Sequence, residues 1–433
     1  MNRLLGLHCD SCSLTYAADG AVQSYCPDCG PEWGTLECKY DFETIRKQFR
    51  DQLIDETEPV SILRYKAFLP FDNLRSFPRL RIGCTPIYSL PRLARSLNLT
   101  ACFIKDDGLN PTGSYKDRAS SVVVARAIEL KHSTVACAST GNAAASLAGC
   151  CAASGLRCIV FVPSTAPKAK LIQIGAFGAH LISVTGSYDQ AFDLSMEACQ
   201  EYGWFNRSAG LNPYLVEGKK TGAFEVCETF HFDPPECIFV SVGDGSIITG
   251  LCKGFQEFHG IGLIERVPRI YGVQAQGAAP LAEAFQQFLR NGSLIINPIE
   301  AHTFADSICV GKPREGIRAI KSVAATNGTI FSVSDDSIRH ALRYAASSRG
   351  IFCEPAGATA LAGMIHAAES GIIKSNERAL AFMTGNGLKD ITGVQESVDV
   401  LLHQVSPDIE AFKKITLGEL NSGSDDRINR GAR

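Results

Sequence analysis

The sequence predicts an α/β protein built on open parallel sheets, and three observations carry that prediction. From about residue 81, short apolar β-rich runs alternate with helical stretches. The runs are apolar throughout, as strands buried on both faces require. Gly, Ser, Thr and Asn gather in the turns that follow them, and such sheets bind ligands at the carboxyl ends of their strands.

The first forty residues stand apart. Cys9-x2-Cys12 is followed, thirteen residues on, by Cys26-x2-Cys29. Paired knuckles of this kind offer four thiolates to a tetrahedral zinc ion, each pair spanning a tight turn. The alternative is a knuckle of four reduced cysteines without metal. Four thiolates leave no open position for water, so a zinc ion here is structural. Residues 1–38 are read as a zinc-ribbon-like lead. Residues 39–80 mix charges, aromatics and prolines and predict a helical linker into the main body.

The regular region is taken in order. "TVACAS" (134–139) precedes an Ala-rich helix, "CIVFVP" (158–163) precedes "PKAKLIQIGAFG", and "HLISVT" (180–185) precedes a helix to about residue 202. "CIFVSVG" (237–243), "RIYGVQAQ" (269–276) and "ALAFMTG" (379–385) complete the strands that are legible. The catalytic region is placed at 81–395, as two interleaved α/β subdomains. Residues 396–433 are expected to hold a helix and a polar, disordered tail, "NSGSDDRINRGAR".

Composition limits the function classes. A net charge of −3 argues against a broad nucleic-acid surface. No apolar run reaches the roughly 20 residues of a membrane helix, so no membrane partner is expected. The first residues lack a signal peptide's apolar core. Seventeen cysteines, many in apolar runs, behave as buried free thiols. A reducing, cytoplasmic compartment is expected.

Four segments carry candidate chemistry. "GLNPTGSYKDRAS" (108–120) puts Lys116 at the start of a helix, where the dipole disfavours a cation. "ASTGNAAAS" opens a helix with Ser139, Thr140, Gly141 and Asn142. Free N–H groups there suit a carboxylate, although an ordinary cap has the same residues. "VSVGDGSIITG" (240–250) has the layout of a phosphate cradle at Gly243, Asp244, Gly245, Ser246 and Ile247. Its G-x-G-x-x-x-x-G spacing departs from the dinucleotide fingerprint. Asp244 is expected to turn its side chain away from a phosphate. "FMTGNGLKD" (382–390) ends a strand at Thr384, whose hydroxyl can meet a ring nitrogen without protonating it. A phosphate cradle, an anion-binding helix start, a strand-end hydroxyl and an isolated lysine form a set, and pyridoxal 5'-phosphate needs each of them.

"NPTGSYKDR", "ASTGN", "NPYLVEGKKTGAFEV", "IFCEPAGATALAG" and "TGNGLKD", in this order, resemble the fold-type II pyridoxal phosphate enzymes, and more narrowly the threonine synthases, over about residues 60–395. The resemblance implies two αβα domains with the cofactor in the cleft between them, a homodimer, and conversion of O-phospho-L-homoserine and water to L-threonine and phosphate. It implies that Lys116 holds the cofactor covalently and acts as acid and base. Asn142 would bond the cofactor's phenolic oxygen, residues 243–247 its phosphate, and Thr384 its ring nitrogen. Ser139, Thr140 and Gly141 would hold the substrate carboxylate, and Glu354 would shape the pocket. Leu215 stands where threonine synthases often carry an arginine for the substrate's phosphate; Arg207 or Lys219 is the expected replacement, with Arg207 the first candidate. The alternatives are a cysteate-synthase-type β-replacement on O-phosphoserine, a threonine or serine dehydratase, and an inactive relative used for binding.

Overall fold

The computed structural model describes residues 3–20, 24–52, 61–398, 400, 402 and 404–413. The expected polar tail at 421–433, and residues 53–60 of the expected linker, lie outside the described residues.

The N-terminal strands β1 (Leu4–Cys9), β2 (Thr15–Tyr16) and β3 (Leu36–Tyr40) form an antiparallel sheet in the order β2-β1-β3. β3 alternates buried Leu36, Cys38 and Tyr40 with more open Glu37 and Lys39, the period of a half-buried strand. It also runs across the boundary expected at residue 38. The segment after it, expected as a helical linker, carries helical turns and packs on the main body. The helix Phe42–Gln52 is followed by 3-10 turns at Ile62–Phe68 and Leu74–Ser76, and Ile62, Tyr65, Phe68 and Phe71 are buried in the largest core. A linker was expected because charged residues interrupt the apolar ones. The structure shows a strap whose aromatic rings pack on Phe224 and Phe258.

The main body carries β4 (Ile87–Ser89), β5 (Ala101–Asp106), β6 (Thr134–Ala138), β7 (Arg157–Pro163), β8 (His180–Val184), β9 (Phe205–Asn206), β10 (Cys237–Ser241), β11 (Arg269–Ala275), β12 (Thr329–Val333) and β13 (Arg378–Met383). One sheet has the order β12-β11-β10-β13-β5-β4, parallel except at its β4 edge. The other has the order β8-β7-β6-β9, parallel throughout. Buried positions run unbroken along β6, β10 and most of β13, since helices cover both faces.

Register sets up the site. Cys237 of β10 is level with Arg269 of β11 and Ala379 of β13, so the carboxyl ends of these strands finish together. Ser241 and Thr384 are therefore neighbours, with their hydroxyls 3.4 Å apart. The helix Ser246–Gly260 leaves the end of β10 and lies buried along most of its length. The N-terminal sheet is fastened to it: Lys253 Nζ lies 2.5 Å from Glu37 Oε1 and donates to the Cys38 carbonyl at 3.0 Å.

Candidate active site

The turn before Lys116 is rigid for local reasons. Gly113 takes φ +88°, a conformation that favours glycine. Its N–H donates to the Asn110 carbonyl at 2.8 Å. The buried Asp117 carboxylate accepts the Thr112 N–H at 2.7 Å, pinning the turn to the helix it starts. Tyr115 N–H donates to the Thr384 carbonyl at 2.9 Å. Lys116 thus begins the helix Lys116–Glu129 directly beside the end of β13. Burial lowers its pKa, and the Arg207 guanidinium lowers it further, while Asp244 and Glu354 partly oppose them. Among the described residues, its Nζ makes no hydrogen bond and no ion pair.

One cavity gathers Lys116, Asn142, Arg207, Gly243, Asp244, Gly245, Ser246, Ile247 and Thr384. The lining comes from residues that follow β6, β9, β10 and β13, so the cavity sits between the two parallel sheets. Ser139, Thr140 and Gly141 are not in its wall. They precede Asn142, the first residue of the helix Asn142–Ser154. A Cβ on Gly141 would meet nothing within 4 Å, so the backbone there is open to a ligand.

The stretch 243–247 is built as an anion cradle. Gly245 takes φ +94°, and a Cβ there would stand 2.8 Å from Ala319 Cβ. Only glycine fits that turn. The first N–H groups of a helix have no intrahelical acceptor. Among the described residues, none of the five N–H groups at 243–247 donates to an acceptor outside its own helix. Asp244 Oδ1 instead accepts the Arg314 N–H at 3.3 Å, which draws its carboxylate toward the 314 loop.

Asn142 and Glu354 are held together. Asn142 Nδ2 lies 3.0 Å from each Glu354 oxygen, and Ser307 Oγ donates to Glu354 Oε2 at 3.1 Å. Burial raises the Glu354 pKa, and these donors counter the rise. Gly385 leaves the room this needs, because a Cβ there would fall 2.2 Å from Glu354 Oε1. Glu354 therefore orients Asn142. Sequence reasoning did not find Ser307, which is 165 residues from Asn142 and carries no motif.

Arg207 is 3% exposed. Its Nε donates to Ser120 Oγ at 3.3 Å, and among the described residues its buried Nη2 has no hydrogen-bond partner. The sequence of residues 78–385 matches the family described as "Pyridoxal-phosphate dependent enzyme". A threonine synthase of Methanocaldococcus jannaschii is 37% identical over 383 residues, covering 88% of this chain and 92% of the relative. One of Methanosarcina acetivorans is 33% identical, covering 95% and 99%. The chain belongs to the threonine synthase family of pyridoxal-phosphate-dependent enzymes. Its fold matches solved structures of a tomato (Solanum lycopersicum) threonine deaminase, with TM-score 0.63, 20% identity and coverage of 88% and 98%. It also matches a maize serine racemase, with TM-score 0.62, 20% identity and coverage of 81% and 94%.

Within this threonine synthase framework, Leu215 is 1% exposed in the main core and is absent from the cavity wall. Lys219, four residues on, does line the cavity, and its Nζ donates to Ser246 Oγ. At the far end of the chain's first sheet, the Sγ atoms of Cys9, Cys12, Cys26 and Cys29 lie within 4.8 Å of one another. A tetrahedral zinc with about 2.3 Å bonds has S···S edges of about 3.8 Å, so the four thiols fit such an ion with little adjustment.

Proposed function

We propose that this enzyme converts O-phospho-L-homoserine and water to L-threonine and phosphate, with pyridoxal 5'-phosphate held in the cleft. The substrate choice rests on Arg207. A buried guanidinium with an unpartnered Nη2, in the same cavity as Lys116, suits an anionic side chain on the substrate. The unpaired donors at 243–247 and the unpartnered Lys116 amine fit the cofactor's phosphate and aldehyde.

When bound, pyridoxal phosphate supplies an electron sink for negative charge at substrate carbons. Residues 243–247 would hold its phosphate, Thr384 Oγ1 would serve its ring nitrogen, and Asn142, oriented by Glu354, would serve its phenolic oxygen. Lys116 anchors it through Nζ. The lowered basicity of that amine leaves it free to take the substrate's α-proton and to move protons at the β-carbon. Ser139, Thr140, Gly141 and the helix start at Asn142 receive the α-carboxylate. Arg207 holds the departing phosphate. In the net reaction the γ-carbon–oxygen bond breaks, the hydroxyl of water ends on the β-carbon, and the γ-carbon becomes the methyl group.

The test offers O-phosphohomoserine, O-phosphoserine, threonine and serine in parallel and measures phosphate, ammonia and amino acids. Equal threonine and phosphate from the first substrate alone is expected. Ammonia from threonine or serine would replace this reading with a dehydratase, and turnover of O-phosphoserine alone would replace it with β-replacement.

We further propose a structural zinc at Cys9, Cys12, Cys26 and Cys29, and a homodimer. Exposed Phe352 and Leu388 sit on segments joined through Gly387 N–H to the Phe352 carbonyl at 2.9 Å, and Gly108, next to exposed Leu109, lies against Asn386, so the three offer an apolar face for a second copy to cover. A reducing cytoplasm suits the seventeen free thiols.

A further inference from the structure

Four lysines are buried among the described residues: Lys105, Lys219, Lys220 and Lys253. Three are neutralised by carboxylates. Lys105 Nζ lies 2.7 Å from Glu225, Lys220 Nζ 2.5 Å from Glu217, and Lys253 Nζ 2.5 Å from Glu37. Lys219 has no such partner. It is 2% exposed, and its Nζ reaches only the hydroxyl of Ser246, the first residue of the helix Ser246–Gly260. A buried ammonium without a counter-ion is costly, so it either stays neutral or awaits an anion.

The fold places the lysine there deliberately. The helix passes so close to Lys219 that a Cβ on Gly250 would fall 2.6 Å from Lys219 Cβ. Gly250 is the last glycine of the G-x-G-x-x-x-x-G spacing, and no phosphate contact accounts for it. It lets the chain at 219–220 lie against the helix, since a Cβ at 250 would also stand 3.2 Å from Lys219 C and Lys220 N, and this close approach brings the Lys219 Nζ to the same N-terminus that offers the cradle's N–H groups.

We propose that Lys219 is the cationic ligand of the cofactor's phosphate, completing a cradle otherwise made of backbone, and that Gly250 is the residue that admits it. Burial and the charges of Lys116 and Arg207 hold its pKa well below the ordinary lysine value. A phosphate dianion at the helix start supplies the missing counter-charge. Lys219 then serves the cofactor's phosphate and Arg207 the substrate's, so two anions in one cleft each meet their own cation. The proposal rests on the pyridoxal phosphate reading and is independent of which amino acid is the substrate.

The test titrates apoenzyme, by absorbance, with pyridoxal 5'-phosphate and with pyridoxal, which lacks the phosphate. The wild type should bind the phosphorylated form far more tightly. Lys219→Gln should cut that preference by about ten- to a hundredfold and leave the Kd for pyridoxal within about twofold. Lys219→Arg should retain most of it. Lys219→Met, which keeps the stem and removes the charge, should show the same selective loss and carries the test alone if Lys219→Gln does not fold. An unchanged preference in both variants, or an equal loss for both ligands, would overturn the proposal. A wild type that does not discriminate between the ligands would overturn the cradle itself, and the role of Lys219 with it.

Discussion

Arg207→Met should separate binding from stability. Methionine fills much of the same space without charge. In the wild type, Nη2 makes no hydrogen bond and Nε makes one of 3.3 Å to Ser120. The side chain thus contributes little to folding and carries the cost of a buried, unneutralised cation, so its pKa is lowered by burial. A charge-assisted contact to a phosphate is worth about 1.5–3 kcal/mol. Its loss should reduce kcat/KM for O-phosphohomoserine by roughly ten- to a hundredfold, at about 1.4 kcal/mol per factor of ten. The ligand-free Tm should stay level or rise. The assay is phosphate release under steady state, paired with thermal melts of each protein without substrate. A Tm lowered by several degrees with unchanged kcat/KM would refute the reasoning, because it would make Arg207 a structural residue.

Leu215→Arg should not restore phosphate binding. It should destabilise by about 3 kcal/mol or more, read as a drop in denaturation midpoint, because position 215 lies in the apolar core. Lys116→Ala should abolish borohydride fixation of the cofactor, checked by mass mapping of the peptide around residue 116. Cys26→Ser should lose zinc by elemental analysis and lower Tm while sparing kcat, since the knuckle lies outside the cleft. Stability should also fall in acid. Burial disfavours the Glu225 carboxylate, yet Arg118 and Lys105 hold its pKa at about 2, below its ordinary value of 4.5. That stability is complete above about pH 5 and is lost as pH falls from there toward 2. The full loss is about 3 kcal/mol, and Glu225→Gln should flatten that part of the urea-denaturation profile.

Much of this was legible in the sequence. The six apolar runs all became strands within about two residues of their expected ends; five leave a continuous signal because they are buried on both faces, whereas β8 is an open edge strand with no buried residue. β5 was hidden by Lys105 and Asp106: Lys105 is buried through a partner far along the chain, Glu225, and the Asp106 carboxylate turns back to accept the Gly108 N–H. β4 and β9, of three and two residues, are too short to show a period. The cleft was legible where one turn supplies several groups, as at 243–247, whereas of 139–142 only Asn142 reaches its wall. It was not legible where two distant residues meet. The Ser307–Glu354–Asn142 contacts and the Lys219–Ser246 pair depend on how the sheets dock. The packing of the strap at 61–77 is not legible, because its apolar side chains follow no regular period although its rings enter the main core.

The central claim is carbon–oxygen cleavage of a phosphorylated amino acid followed by hydration, and isotope placement tests it most directly. The enzyme is given O-phosphohomoserine in water enriched in heavy oxygen, and both products are weighed by mass spectrometry. The account predicts threonine carrying one heavy oxygen at its β-hydroxyl and phosphate carrying none. Heavy oxygen in the phosphate, with homoserine as the other product, would mean that the phosphorus–oxygen bond breaks, and it would contradict the account.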